Sequence, residues 1–298
     1  PTLARWTSKV TGPTTTPGQR KRSESHTLQA FEKVSCEHLP QLLPYFLTYT
    51  IYSMAKQTHY VNAPITEAVI DIRVRVPEKI GTFELEEFYD KESGRYPNKK
   101  ELKFVEARFT AGEQISAAAK QLPHGFAYTN EDKQQIAQVQ LNGFTFSRLQ
   151  PYQSWEPFRD EGRRLWEVYR DLVQPEMVTR MAVRYINRLD LPLPLSDFKD
   201  YLRTVPEVAP DLPQGLAGYF MHLTIPYEDI QSTLLLNQAI IQPKREGVVS
   251  VVLDIDLFRK MDRPDEEQEM WHFFETLHER KNDIFEACIT DRTRELIA

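Results

Sequence analysis

The sequence of 298 residues is 41% hydrophobic and 27% charged, with a formal net charge of −6 at pH 7. This length and composition suit one large or two small globular domains with a sizeable core. The acidic balance does not favour a nucleic-acid partner, since such proteins usually carry a basic field. No apolar run reaches the roughly 18 residues that a membrane span needs, so we expect no membrane partner.

The two cysteines, Cys36 and Cys288, match no zinc or redox spacing. So few cysteines fit a reducing compartment, and we expect a cytoplasmic location.

Residues 1–53 differ in character from the rest of the chain. They include TGPTTTPGQRKRSES, which has no hydrophobic periodicity and many residues that break helices and strands. Three interpretations stay open: upstream or artefactual sequence, a targeting extension, or a disordered arm. In each case we expect the fold to begin near Met54.

The first half-unit, predicted to span residues 54–175, begins with a strand in which apolar and charged residues alternate. One side carries Ala68, Ile70, Ile72, Val74 and Val76, and the other carries Asp71, Arg73 and Arg75. Because successive side chains of a strand point to opposite faces, the pattern predicts one buried and one charged face. A short helix follows, with Thr82 as its cap and Phe83 and Phe88 as its anchors.

The remainder of this half-unit is predicted to hold three strands and a long helix. Residues 103–110 alternate as a strand, and residues 126–130 and 136–147 are predicted to form a hairpin. Residues 117–120 favour helix by their composition. Ser154 is expected to cap an amphipathic helix whose apolar stripe is Trp155, Phe158, Leu165, Trp166, Tyr169 and Leu172.

The second half-unit, predicted to span residues 176–298, repeats this order. Its first strand carries Met181, Val183, Tyr185, Leu189 and Leu191 on one side and Arg180, Arg184 and Arg188 on the other. Ser196 is expected to cap a short helix. The strands predicted next are residues 218–226, 232–242 and 248–260, and the last helix is predicted over residues 266–289.

The two halves are similar in sequence pattern. Moving residues 138–173 forward by 112 positions without a gap places Phe146 on Phe258 and Leu165 on Leu277. The match predicts an internal duplication and an α+β fold, with an antiparallel sheet and long helices packed on one face. The order of elements resembles the TATA-binding-protein fold, an analogy that carries no function. Two tandem ferredoxin-like or helix-grip domains are the alternative.

Three segments also resemble a known family. They are NAPITEAVIDIRV at residues 62–74, RMAVRYINRLDLP at residues 180–192 and FEACIT at residues 285–290. Together they are similar to a sporadically distributed prokaryotic family without an assigned function, over residues 54–298. The resemblance implies a bacterial or archaeal cytoplasmic accessory protein, but it identifies no catalytic residue, and the cofactor stays unknown.

The charged sides of the two first strands are the main candidate site. If these strands are neighbours, one face presents five guanidinium groups, those of Arg73, Arg75, Arg180, Arg184 and Arg188. Guanidinium forks bind phosphate or carboxylate bidentately, so the pattern predicts a face for an anionic ligand or protein partner. The alternative is a solvated face in which aspartates and glutamates pair with the arginines.

Glu67, Asp254 and Asp256 are candidate acid–base or metal-binding residues. Asp254 and Asp256 project from the polar side of one strand, and a pair with this spacing can hold a divalent cation. The equivalent positions of the first half, Asn142 and Phe144, carry no acid, which weakens this hypothesis. No histidine pair has a zinc-site spacing, so no metal is assigned.

Two functions follow as hypotheses. The first is a non-enzymatic binding or assembly protein that uses the basic strand face and self-associates through a sheet edge. The second is an enzyme acting on a phosphorylated or nucleic-acid substrate, with Arg184 and Arg188 as clamps and Glu67 or Asp254 as base or metal ligand. No glycine-rich phosphate loop or nucleophile elbow occurs in the sequence, which favours the first.

Overall fold

The structure is a computed structural model that describes residues 60–110, 116–263 and 267–298. The interpretations of residues 1–53 lie outside these ranges. The described strands are β1 (Ile65–Arg75), β2 (Asn98–Thr110), β3 (Ser116–Thr129), β4 (Gln135–Gln140), β5 (Gly143–Leu149), β6 (Met177–Pro192), β7 (Phe220–Tyr227), β8 (Ser232–Ile241) and β9 (Val248–Arg263). The described helices are α1 (Thr82–Glu92), α2 (Trp155–Val173), α3 (Glu267–Cys288) and α4 (Asp291–Ile297).

The nine described strands form one antiparallel sheet, in the order β2-β3-β4-β5-β1-β6-β9-β8-β7. The α+β class and the antiparallel sheet are therefore confirmed. β1 and β6, the first strands of the two predicted half-units, lie side by side, with Ile70 opposite Val183. The sheet is thus continuous across the boundary predicted between the half-units.

One face of the sheet is apolar and carries the long helices. Ile70, Val183 and Leu257 lie side by side on β1, β6 and β9, and all three are fully buried. On the same face Phe146 of β5, the partner of Ile70, stacks on Phe158 of α2. Helix α1 packs against β3 and β4, and α3 packs against β6 and β9. Within the described ranges, no helix is long and apolar enough to cross a membrane.

The hairpin between β4 and β5 corrects the prediction of one strand over residues 136–147. The two strands join through a two-residue turn, with Gln140 opposite Gly143. Gly143 has a φ of 156°, and a Cβ there would lie 2.4 Å from the carbonyl oxygen of Ile72. The two turn residues are Leu141 and Asn142, one position before the Asn142-Gly143 pair that usually signals such a turn, and Gly143 is the first residue of β5.

Residues 117–120 are part of β3 and not of a helix. Every residue from Ser116 to Lys120 has a partner on β2, with Ser116 opposite Thr110. Pairing with a neighbouring strand therefore overrides the helix propensity of the three alanines in this segment.

The start of α1 also differs from the prediction. Its N-cap is Gly81, whose amide donates to the Glu84 carboxylate at 2.8 Å. Of the two predicted anchors, Phe88 is fully buried, whereas Phe83 is 73% exposed.

The short helix predicted to begin at Ser196 is a single turn of 3-10 helix, Phe198–Asp200. Just beyond it, Leu202 forms an isolated bridge with Ile289, between α3 and α4. This bridge holds the chain near Leu202 in an extended conformation beside the junction of α3 and α4, so the 3-10 turn does not continue as an α-helix.

The gapless alignment of the half-units does not hold through the strands. Phe146 lies on the apolar face, whereas Phe258 follows the buried Leu257 on β9 and its ring contacts a guanidinium on the opposite face. A shift of one residue would match Phe146 with Leu257. In the helices the offset of 112 residues does match buried positions, since Leu165 and Leu277 are both fully buried.

Candidate functional site

The predicted arginines lie on the sheet face opposite the helices, the open face. β1 and β6 are neighbours, as the anion hypothesis required, and Arg73 lies directly opposite Arg180. Arg184 and Arg188 follow at intervals of four residues along β6, and Arg75 ends β1. Like charges directly opposite each other destabilise a sheet, so this arrangement needs counter-charges.

Arg180 shows how the counter-charges are arranged. Its Nη1 donates to Asp71 Oδ1 at 2.8 Å, and its Nη2 donates to both carboxylate oxygens of Asp256 at 2.9 Å. The guanidinium carbon also lies 4.4 Å from the centroid of the Phe258 ring, where the ring face attracts a cation. One arginine therefore connects β1, β6 and β9.

Arg73 and Arg184 are held in a similar way. Arg73 Nε donates to Asp71 at 3.1 Å, and its Nη1 donates to Gln140 at 2.9 Å. Arg184 Nε and Nη2 donate to the two oxygens of Asp254 at 2.8 and 2.7 Å. Bidentate pairs of this kind are strong, and they leave few donors for a ligand.

Arg75 and Glu67 lie near the two ends of β1. Arg75 donates to Asp262 at 3.0 Å, and both side chains are more than half exposed. Glu67 is half-buried and lies opposite Ile186 of β6. Arg75 is thus paired away from the centre of the open face, whereas the charge of Glu67 acts on Arg184, where it helps to raise the pKa of the guanidinium after Asp254 and Asp256.

The same contacts bear on the acid–base and metal hypothesis. Asp254 is bound by Arg184 and accepts a further hydrogen bond from Asn237 at 3.1 Å. Burial, opposed by Arg180 and Arg184, raises the pKa of Asp256. No group of three or more His, Cys, Asp or Glu residues that could hold a metal occurs among the described residues. Both aspartates form ion pairs with arginines of β6, Asp254 with Arg184 and Asp256 with Arg180.

Arg188 has a different setting, at the end of β6. It lines a cavity of about 300 Å³ together with Lys244 and Arg245 from the turn between β8 and β9. Its Nε donates to Asp190 at 2.9 Å, and its Nη2 donates to Ser250 Oγ at 2.8 Å. Three cations thus face one carboxylate, a balance found at none of the other predicted arginines.

The one carboxylate of this cavity stays ionised at neutral pH. Burial opposes the ionisation of Asp190, but hydrogen bonds from Ser250 and Arg188 outweigh it and lower its pKa. Arg245 lies 4.0 Å from Asp190, at the limit of an ion pair. With Lys244 included, the charged side chains of the lining sum to a net positive charge.

A second polar group, which the sequence patterns did not predict, lies on the helix side of the sheet. This junction cluster consists of Tyr152, Trp155, Tyr185, His278, Lys281 and Asn282. A signal for it existed in the sequence. Lys281 lies four residues after Leu277 and four before Phe285, on the apolar stripe of α3, which places its amine in the interior.

Comparisons with known proteins assign the chain to no family. No protein-family model matches the sequence, and no curated protein matches it either.

Proposed function

We propose that this chain is a binding protein for a small anionic ligand, held in the cavity beside Arg188. The observation that carries the proposal is the charge of the lining, where Arg188, Lys244 and Arg245 face a single carboxylate. At the centre of the open face, in contrast, the arginines are neutralised by aspartates. The proposed site therefore occupies only the end of the predicted basic face that carries Arg188.

The chemistry of the lining favours a phosphate or a polycarboxylate. Lysine and arginine side chains donate charge-assisted hydrogen bonds to both groups. Residues 62–64 and Gln150, which carry no charge, form another part of the wall. A cavity of about 300 Å³ is at the lower end of the range for ligand sites, so we expect a small ligand.

A Lys244→Ala/Arg245→Ala double variant is expected to weaken the binding of inorganic pyrophosphate or citrate by about tenfold to a hundredfold. Each substitution removes a charge-assisted contact that is worth about 1.5–3 kcal/mol when fully made and less at an exposed site. Isothermal titration calorimetry measures the affinity. Thermal unfolding with and without the anion gives an independent readout, since a ligand bound to the folded state stabilises it.

Arg75→Ala is the matched control, because it removes an arginine of the same sheet outside the cavity. It should bind the anion as the wild-type protein does. The proposal fails if phosphate, pyrophosphate and citrate all leave the wild-type protein unstabilised, or if the double variant binds as tightly as the control.

We also propose that the chain arose by duplication of one half-unit, in an order like that of the TATA-binding-protein fold. Two observations support this. Outward from the central pair, the strands run β5-β4-β3-β2 on one side and β9-β8-β7 on the other, so the two sides correspond except for β2 at the edge. Each long helix also follows the equivalent strand, α2 after β5 and α3 after β9. In a crystal structure, residues 62–173 should superpose on residues 178–297 once the strand register is shifted, and failure to superpose would refute the duplication.

A further inference from the structure

The junction cluster lies where the start of α2, the middle of α3 and strand β6 meet. Tyr152 precedes α2, and its hydroxyl lies 3.0 Å from the hydroxyl of Tyr185 on β6. Tyr185 in turn lies 3.4 Å from Nδ1 of His278, and Nε2 of His278 lies 3.3 Å from the amide nitrogen of Asn282. A chain of polar contacts thus runs from one long helix to the other beneath the sheet.

Lys281 is the residue with the least favourable environment for a charge. It is 6% exposed, and its Nζ donates to Asn282 Oδ1 at 2.6 Å. Its Nζ also lies 3.7 Å from the centroid of the Tyr185 ring. No described carboxylate forms an ion pair with it. A buried ammonium without a counter-ion is costly and tends to lose its proton.

Two neighbouring groups oppose the loss of the proton from Lys281. The ring face of Tyr185 and the amide oxygen of Asn282 both favour the ammonium form. Burial acts in the opposite direction and lowers the pKa of Lys281 to about 7, from an ordinary value of 10.5. The amine can therefore change its charge in the neutral pH range.

His278 is a second proton acceptor in the same cluster. Its ring is stacked flat on Trp155, with centroids 4.4 Å apart and an interplanar angle of 4°. Burial, with smaller contributions from the charges of Lys281 and Arg159, lowers the pKa of His278 to about 3. The imidazole is therefore neutral at neutral pH and takes up its proton only in acid.

The charged groups that face the cluster do not neutralise it. Glu156 and Arg159 face it from α2, and Glu275 faces it from α3. Glu275 accepts hydrogen bonds from Trp155 Nε1 at 2.7 Å and from Arg159 Nη1 at 2.6 Å. Its charge is therefore already matched by that of Arg159 while the junction is closed.

We propose that the junction cluster is a proton-operated latch: α3 and the start of α2 close on β6 while Lys281 is neutral, and protonation of Lys281 loosens them. Protonation of His278 at lower pH loosens them further. The sign follows from linkage, because the open form binds the proton with its ordinary affinity and the closed form binds it weakly. Lowering the pH from 9 to 7 therefore favours opening, by about tenfold for each pH unit.

The test compares the wild-type chain with Lys281→Met, which keeps the length of the side chain and removes its charge. Amide hydrogen exchange at pH 9 and pH 7, corrected for intrinsic rates, should show the protection of α3 falling about a hundredfold in the wild type. In Lys281→Met it should stay constant. Lys199→Met, at an exposed lysine paired with an exposed glutamate, should behave as the wild type does.

The wild-type measurement alone can overturn the proposal. If corrected protection in α3 is equal at the two pH values, or falls equally in the outer strands β7 and β8, no local latch exists. If Lys281→Met loses protection with the same slope as the wild type, another group is responsible.

Discussion

Arg180→Ala is expected to lower the free energy of unfolding by about 3 kcal/mol at neutral pH. The substitution removes the two hydrogen bonds to Asp256 and the one to Asp71. Asp71 keeps Arg73 as a partner, but Asp256, whose side chain is 16% exposed, loses both hydrogen bonds from Arg180 Nη2 and keeps only the nearby charge of Arg184. Removing one member of a largely buried pair costs about 3–5 kcal/mol, because the other charge stays behind without its partner. Urea denaturation measures the change.

Two further variants test whether the loss in Arg180→Ala comes from its largely buried ion pairs. Arg75→Ala should change the stability by no more than about 0.5 kcal/mol, because its pair with Asp262 is exposed. Adding Asp256→Asn to Arg180→Ala should recover part of the loss, since it removes the unmatched charge. Equal losses in Arg180→Ala and Arg75→Ala would show that the open face is not held together by its central ion pairs.

Gly143→Ala is expected to destabilise the protein by about 3 kcal/mol. Its φ of 156° is rarely adopted by residues with a side chain, and the added Cβ would lie 2.4 Å from the backbone oxygen of Ile72. That oxygen belongs to β1, in the middle of the sheet, so it cannot move without disturbing the pairing of β1 with β5. The free-energy costs of overpacking and of backbone strain therefore add together. The midpoint of thermal unfolding reports the loss.

Gly94→Ala is the matched control for this effect. No atom lies within 4 Å of the position that a Cβ would take at Gly94. The control should unfold within about 0.5 kcal/mol of the wild type, as surface substitutions usually do. A loss in Gly143→Ala no larger than in Gly94→Ala would mean that β5 can retreat from β1 at little cost.

Much of the fold could be predicted because two periodicities are strong in this chain. Strict alternation along β1 and β6 revealed which side of each strand is buried, and the stripe from Phe158 to Tyr169 revealed the inner side of α2. Weak or conflicting local signals were less informative. The alanines of residues 117–119 favoured helix, and pairing with β2 decided otherwise.

The candidate site was harder to predict, because its chemistry depends on partners that are distant in sequence. The sequence placed Arg180 and Arg184 on one side of β6, but not beside Asp256 and Asp254 of β9. Sheet pairing brings these residues together, so that Arg180 and Arg184 form ion pairs with aspartates of the neighbouring strand. Lys281 was not among the predicted site residues, although its position on the apolar stripe of α3 is visible in the sequence.

The central pairing of β1 with β6 has a consequence for biosynthesis. Ile70 and Val183 are opposite each other in the sheet, yet the first is synthesised long before the second. Until β6 leaves the ribosome, β1 has a free edge in a sheet formed by the preceding chain. Such an edge can pair with a β6 strand from another molecule, which leads to strand exchange or aggregation. Slow translation between β5 and β6 should therefore lower the yield of folded protein.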